Sequence, residues 1–397
     1  MNVGIIGLGG GARDMIPAFV HHPHLNVIAA ADVDEGQLET FKREFQGETY
    51  RDAEALCANA NVDLVYIATP NQFHTDHALA ALERRKHVLV EKPMSLTLED
   101  ADTMIQAADR NGVRLAVNVK HSFEPRIQKI RELVHSGELG PLRMMHYTYF
   151  SDWLYRPRTS EELNPDLGGG VTWRQGPHQF DIIRTIGGGL VHSVRAMTGQ
   201  WDENRPVVGC HTAFLEFEDG VAATAVYSGY DHFHSRELTF GAADASPHAQ
   251  ARQRLREFQT KDDEVARKKA QRYDGSARQA AMADGNTGRS SLWVLGGPLI
   301  VSFEHGDVRL TPNGLTVYGD TAKWDIPVRS DIDGRHGLVA QLYDALVNER
   351  EPLADGRWGK ATVEVLLAVL ESGRARREVF LSHQHAMTDD LHLRRHA

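Results

Sequence analysis

The stretch MNVGIIGLGGGARDMIPAFVHHPHLNVIAAAD (residues 1–32) decides the fold. Residues 2–6 are a short apolar run and glycines follow at once. Residues 12–21 have helical spacing, and LNVIAAA (25–31) is a second apolar run ending in Asp32. The order is strand, turn, helix, strand. Gly7 and Gly9 form a G-x-G with Leu8 between them, and Ala12 holds the third position. The first glycine permits a tight turn. The second lets backbone N–H groups reach a pyrophosphate at the helix N-terminus. The third position only has to let helix and strand approach, which alanine allows. Asp32 lies 20 residues after Ala12, where a carboxylate can accept from ribose hydroxyls. It would repel a 2′-phosphate, and Val33 and Asp34 bring no cation, so NAD is expected rather than NADP. Arg13 belongs either on the pyrophosphate or in solvent. The bland alternatives are a plain glycine turn and an Asp32 that merely caps the next helix.

The alternation continues. DLVYIATP (63–70), KHVLVEKP (86–93) and VRLAVNVK (113–120) are further apolar runs, separated by helical spacing over 35–45, 52–59, 76–84 and 98–110. Strands that are almost continuously apolar imply a parallel sheet covered on both faces. Residues 1–122 are therefore expected to be a doubly wound α/β domain of the Rossmann kind. Thr69, Pro70, Asn71 and His74 follow the end of one strand, Glu91 and Lys92 the end of the next, and Asn118 closes the last. Strand ends of this kind carry cofactor loops.

The remaining residues, 123–397, read as an α+β domain with a large, open, mostly antiparallel sheet. MMHYTYFSDW (144–153) alternates as a strand does, and HTAFLEFEDGVAATAVYSGY (211–230) is a hairpin turning on Asp219-Gly220. Helices are expected over 124–136, over 171–186 with Pro177 either tolerated near the start or distorting it, and over 334–351 and 360–377. Residues 244–290 interrupt the pattern. Between 251 and 278 stand nine Lys/Arg against five Asp/Glu, which predicts a solvated helical excursion or a mobile loop, with a lid or an oligomer contact as the alternative. The last dozen residues are expected to fray.

Bulk composition excludes several classes. The net charge of −10 argues against nucleic acid, and any anionic ligand must meet a local cluster of arginines. No apolar run approaches the roughly 18–20 residues that span a bilayer. The start lacks a charged leader region and a cleavage site. Two cysteines, Cys57 and Cys210, have no disulfide or zinc spacing, which points to a reducing cytoplasm. The 21 histidines include HHPH (21–24), DHFH (231–234) and HQH (383–385), but no convincing ligand set, so no metal is expected.

ATPNQFH (68–74), EKP (91–93) and GGGVTWRQGPHQFD (168–181) together resemble the Gfo/Idh/MocA oxidoreductase family. The resemblance implies a Rossmann domain followed by an open-sheet domain, NAD as cofactor, and assembly as a homodimer or homotetramer through that sheet. It also implies roles. Lys92 of E-K-P would touch the substrate hydroxyl and stabilise charge on its oxygen as the proton leaves. Asn118 would lie beside the nicotinamide. His178 would be the base, at an unperturbed pKa of about 6.5, with Asp181 either orienting its ring or pairing within the helix. The family pattern usually has an aspartate where this chain has Arg174, which cannot act as a base. A guanidinium grips a carboxylate through two parallel hydrogen bonds. With Arg156, Arg158 and Gln175 nearby in sequence, Arg174 suggests a dicarboxylate substrate.

Within the family, RPRTSEEL, GGGVTWRQGPHQFDIIR and VRAMTGQWD resemble the branch that oxidises phthalate dihydrodiols in bacterial aromatic degradation. That resemblance implies oxidation of cis-4,5-dihydroxy-4,5-dihydrophthalate to 4,5-dihydroxyphthalate. The rival expectations are a sugar, inositol or sugar-acid dehydrogenase, and a non-catalytic NAD-sensing module.

Overall fold

The structure, a computed structural model, describes residues 1–238, 250–258, 260–284, 297–328 and 333–387. The expected frayed end falls mostly outside these, as do 244–249, 259 and 285–290 of the polar excursion. The described residues form two compact units. The first gathers Met1–Lys120, Ala266–Gly288 and Asp331–Val363; the second gathers His121–Val265, Arg289–Ser330 and Glu364–Ala397.

The first unit is built on a parallel sheet. Its elements run β1 (Asn2–Ile6), α1 (Gly10–His21), β2 (Asn26–Ala31), α2 (Glu35–Phe45), β3 (Glu48–Tyr50), α3 (Ala53–Cys57), β4 (Leu64–Ile67), α4 (His74–Leu82), β5 (His87–Val90), α5 (Leu98–Asn111) and β6 (Leu115–Val117). The strand order is β3-β2-β1-β4-β5-β6, with every neighbour parallel. The order reverses between β1 and β4, and a dinucleotide binds at such a switch point, beyond the carboxyl ends of the strands. Val3, Ile5, Val65, Tyr66, Leu89 and Val90 are wholly buried, as strands covered on both faces require. Sequence periodicity missed β3, because three residues are too few to show a pattern.

The second unit holds α6 (Pro125–Ser136), β7 (Leu142–Phe150), α7 (Val171–Arg174), α8 (Gly176–Ile186), β8 (Val191–Gly199), β9 (Cys210–Phe217) and β10 (Ala222–Ser228). The excursion then supplies α9 (Gln250–Arg256), α10 (Lys261–Lys269) and α11 (Ala277–Asp284). After it come β11 (Leu299–Phe303), β12 (Gly306–Thr311), β13 (Gly314–Gly319), β14 (Lys323–Pro327), α12 (Gly334–Val347), α13 (Gly356–Ala375) and β15 (Val379–Phe380). Nine strands form one sheet in the order β14-β13-β12-β11-β7-β10-β9-β8-β15. Neighbours are antiparallel except β7 and β10, which are parallel. The β9–β10 hairpin turns on Asp219-Gly220, where Gly220 has φ +82 and Asp219 accepts from the Val221 N–H. Along β9, His211, Ala213, Leu215 and Phe217 are buried while Thr212, Phe214 and Glu216 are exposed, so one face of the sheet meets the helices.

Two expectations need correction. The helix over 171–186 is two helices. Pro177 has no N–H to give Trp173, so the α-helical ladder stops, and Gln175 takes φ −118, ψ −31 between α7 and α8. Arg174, His178 and Asp181 therefore do not share one face of a continuous helix. The second domain is also not the single run 123–397. Residues 266–284 of the excursion and all of α12 belong to the first unit, where α11 and α12 pack on α1.

Candidate cofactor and substrate residues

In the first unit the glycine loop explains itself residue by residue. Gly7 has φ +90, and a Cβ there would lie 2.9 Å from the backbone of Ala68. The chain itself demands that glycine. Gly9, the N-cap of α1, differs: a Cβ would meet nothing closer than the Ala68 carbonyl oxygen at 3.8 Å. No neighbouring protein atom requires a glycine there, so the bare backbone serves a ligand's close approach. Ala12 is fully buried against the sheet, as the third position requires. Asp32 is buried at the end of β2 and accepts from the backbone N–H of Leu8 at 2.7 Å and of Asp34 at 2.9 Å. Arg13 is paired with Asp274 at 2.9 Å.

The loops after β4 and β5 form a second cluster. Glu91 Oε1 accepts from the Tyr66 hydroxyl at 2.7 Å and from Asn118 Nδ2 at 2.6 Å, while its Oε2 accepts from the Lys92 N–H at 3.2 Å. Burial, and then the Glu91 charge, push the Tyr66 phenol well above its ordinary pKa, so it stays a donor. Asn118 Oδ1 is buried with no hydrogen-bond partner among the described residues, an acceptor suited to a carboxamide NH₂. Asn71 is buried, and Pro70 opens the short 3₁₀ turn in which it lies. His74 corrects an expectation: it is fully buried, with Nδ1 2.8 Å from the Pro93 carbonyl oxygen and Nε2 2.9 Å from that of Thr69. It braces the two loops that carry Thr69 and Lys92 rather than facing a ligand. Thr69 Oγ1 is in turn 3.0 Å from His77 Nδ1. The bare Gly9, the helix N-terminus behind it, Asp32 and the open acceptor of Asn118 fit a dinucleotide.

In the second unit, α8 carries His178 and is pinned to the sheet by one side-chain chain. Thr172 Oγ1 lies 3.2 Å from His211 Nδ1, and His211 Nε2 lies 2.9 Å from Gln179 Oε1. Gln179 Nε2 then donates to the carbonyl oxygens of Tyr147 and Val226 at 3.0 and 3.1 Å. Burial pushes the His211 pKa down to about 3, so the ring is neutral and the chain keeps one direction of donation. His178, half-buried, has its ring edge-on to His121 with centroids 4.3 Å apart. Asp181 is buried and accepts from the Ser122 hydroxyl. Arg174 ends α7; burial pushes its pKa down, against the carboxylates of Glu162 and Glu161. Gln175 Nε2 donates to the Arg174 carbonyl oxygen at 3.0 Å, and its Oε1 lies 3.4 Å from the Tyr227 hydroxyl.

The two loop arginines differ. Arg156 is substantially exposed and pairs with Asp152. Arg158 is buried: Nε and Nη2 donate to the Trp153 carbonyl oxygen, Nη1 pairs with Glu162 at 3.0 Å, and the guanidinium lies 4.0 Å from the Trp153 ring centroid. Arg158 is a structural cation, and the expectation that it meets substrate is corrected. The Glu162 four residues on was the signal. Tyr66, His77, His121, Gln179 and His211 escaped sequence reading altogether; apart from His77, whose partner Thr69 is eight residues away, each acts through a partner 25 or more residues distant.

The description "Oxidoreductase family, NAD-binding Rossmann fold" matches residues 1–119, and "GFO/IDH/MocA C-terminal domain" matches 127–243. A curated relative from Comamonas testosteroni, 1-carboxy-3-chloro-3,4-dihydroxycyclohexa-1,5-diene dehydrogenase, is 36% identical over 378 residues, covering 94% of this chain and 95% of its own. The crystal structure of a putative dehydrogenase from Bordetella bronchiseptica superposes with a TM-score of 0.87 at 37% identity, over 96% of this chain and all of the other. An oxidoreductase from Agrobacterium radiobacter, solved with NAD+, L-tartaric acid and magnesium, shares the fold at a TM-score of 0.71 and 18% identity, over 96% and 98% of the two chains. Among the described residues no helix is long and apolar enough to cross a membrane.

Proposed function

The chain belongs to the Gfo/Idh/MocA family and is an NAD-dependent oxidoreductase, and from that premise we propose that it oxidises a carboxylated cis-dihydrodiol, specifically the phthalate-type cis-4,5-dihydroxy-4,5-dihydrophthalate, to the catechol. The observation that carries this reading is Arg174, a half-buried guanidinium two residues before the helix that carries His178. The Comamonas relative, whose name gives a carboxylated diol as substrate, supports the class.

Bound NAD supplies the hydride acceptor. Lys92 donates to the carbinol oxygen and lowers the cost of the negative charge that develops there. The imidazole of His178 takes the hydroxyl proton, its ring plane held by His121 and its helix by the Gln179–His211 chain. One C–H and one O–H bond of the diol break, and a ketone forms. Loss of a ring proton then restores aromaticity and draws the oxidation forward. Arg174 binds a substrate carboxylate, and Arg156, already shared with Asp152, adds a second cation for an ortho-dicarboxylate. Arg158 takes no part.

The test is absorbance at 340 nm with NAD and a panel of diols. Turnover of the phthalate dihydrodiol, at a KM well below that for the benzoate dihydrodiol, is the expected result. NADH formation only from inositol or a sugar acid overturns the substrate and leaves the family standing; robust turnover of any of these disposes of a purely NAD-sensing role. Self-association through the sheet belongs to the same reading. Met144, Met197, Phe214, Ile300 and Tyr318 stand exposed on the face turned away from the helices. Light scattering that finds a monomer overturns that part.

A further inference from the structure

The excursion returns to the first unit and lies along its glycine loop. The Tyr273 N–H donates to the Leu8 carbonyl oxygen at 3.3 Å, and a Cβ on Gly10 would lie 3.8 Å from the Gln271 carbonyl oxygen. Around it, Tyr273 gives its hydroxyl to Glu44, Asp274 pairs with Arg13, and the Arg278 N–H donates to Glu44 at 2.6 Å. These anchors do not use the side chain of Arg272. That guanidinium donates through Nη2 to Asp32 Oδ1 at 2.9 Å and Oδ2 at 2.7 Å, and through Nη1 to Asp34 Oδ2 at 3.1 Å.

A carboxylate offers about four lone-pair positions. Leu8 N–H takes one on Oδ2 and Asp34 N–H one on Oδ1, and Arg272 takes the other on each oxygen. Asp32 is then fully subscribed. A ribose diol needs the positions that Arg272 holds, because the two backbone donors are fixed by the fold. Asp34 can keep the Nη1 contact when Nη2 lets go, so the side chain can withdraw without leaving a bare cation.

We infer that Arg272 is a built-in competitor for the ribose-binding carboxylate, so that adenosine-end binding of the dinucleotide is gated by withdrawal of the Arg272 guanidinium from Asp32. Arg272 is then a positioning residue that sets cofactor affinity from 240 residues away in sequence. The inference rests on NAD binding and not on the identity of the diol, so failure of the substrate assay leaves it intact.

The experiment is calorimetric binding of ADP-ribose and fluorimetric binding of NADH to the full chain and to R272A, R272Q and R272K. Removing the competitor is expected to lower the apparent Kd of R272A and R272Q for both probes about tenfold, as for a withdrawn conformer populated to roughly a tenth. R272K, with a single point of contact in place of the fork, is expected to fall between. Thermal unfolding without ligand checks that each variant folds; if R272A does not, the glutamine and lysine variants carry the comparison. Unchanged or weaker ADP-ribose binding in the folded variants overturns the inference, the latter by showing that the guanidinium holds the dinucleotide. A wild-type preference for NADP that R272A loses also overturns it.

Discussion

Asp32 and Arg174 are both charges withdrawn from water, one in each unit, and they are held in opposite ways. Asp32 is held by its surroundings in the chain: the turn after β1 and the turn after β2 each aim an N–H at it. Arg174 ends a one-turn helix, and the charges that offset its burial belong to Glu161 and Glu162, on a separate stretch of loop. Its neighbour α8 depends on His211 and Gln179, brought together from 32 residues apart. Two local backbone donors thus fix Asp32 before any distant side chain reaches it, and Arg272 joins them from 240 residues away; α8 is held by side chains that only the tertiary fold makes neighbours. Backbone organisation follows a short motif and tolerates varied surroundings. Side-chain organisation is open to change at any one of its members.

Mutations can break or sharpen that contrast. The largest effect is expected from His178→Ala and from Lys92→Ala, each lowering kcat by about 10²- to 10⁴-fold in the 340 nm assay; NADH binding to His178→Ala should be unaltered. Arg158→Ala should cost about 3–5 kcal/mol in urea unfolding, since it strands the buried Glu162 charge. The folded fraction should keep the wild-type KM. Arg174→Ala should do the reverse, raising KM for the dihydrodiol about 10- to 100-fold, the worth of a charge-assisted hydrogen bond. Equal KM changes in the two variants would erase the distinction between structural and ligand-facing arginines.

The glycines allow a matched pair. Gly7→Ala, at φ +90 and 2.9 Å from backbone, should lower stability by about 1–3 kcal/mol. Gly9→Ala should leave the Tm near wild type and weaken NADH binding, because a Cβ there meets only the ligand. A Gly9→Ala protein that melts as early as Gly7→Ala counts against that division.

The smallest effect is a pH dependence. Burial lowers the His211 pKa to about 3 from an ordinary value near 6.5, so the unfolded chain binds a proton that the folded chain refuses. Its contribution is fully present above pH 6.5 and is lost as pH falls toward 3, by about 1.4 kcal/mol per pH unit. Urea midpoints between pH 7 and pH 5 should fall, and His211→Gln should flatten that slope. An unchanged slope would remove the neutral His211 from the account of how α8 is held.

How much was legible depended on sequence distance. The strand–glycine–helix–strand order, Asp32 at 20 residues from Ala12, the β9–β10 hairpin and most helix positions followed from periodicity and turn chemistry. Of the two readings Pro177 allows, the disruptive one holds: a proline near the start of a helix can begin one rather than sit inside one, which splits 171–186 in two. Arg158 and Glu162 stand four apart, so their pairing was readable, yet the Trp153 ring and carbonyl that complete the burial were not. Val33 and Asp34 suggested that no cation stood near Asp32; Arg272 supplies one through a segment whose composition showed only that it was polar and basic.

By itself, then, the sequence determined the doubly wound class of the first unit and its cofactor, because both depend on spacings of about 30 residues or fewer that backbone geometry converts directly into structure, and it determined the family through three short motifs between residues 68 and 181, each legible locally. Only the tertiary structure decided which arginines are structural, that His74 braces loops, that α12 and half of the excursion return to the first unit, and that Asp32 is paired with the Arg272 guanidinium. Arg158 and His74 find their partners within 19 residues, but their burial is set by packing around them; the Arg272–Asp32 pairing and the return of α12 cross long stretches of chain. Chain entropy makes them nearly independent of sequence separation, and so they leave no local pattern to read.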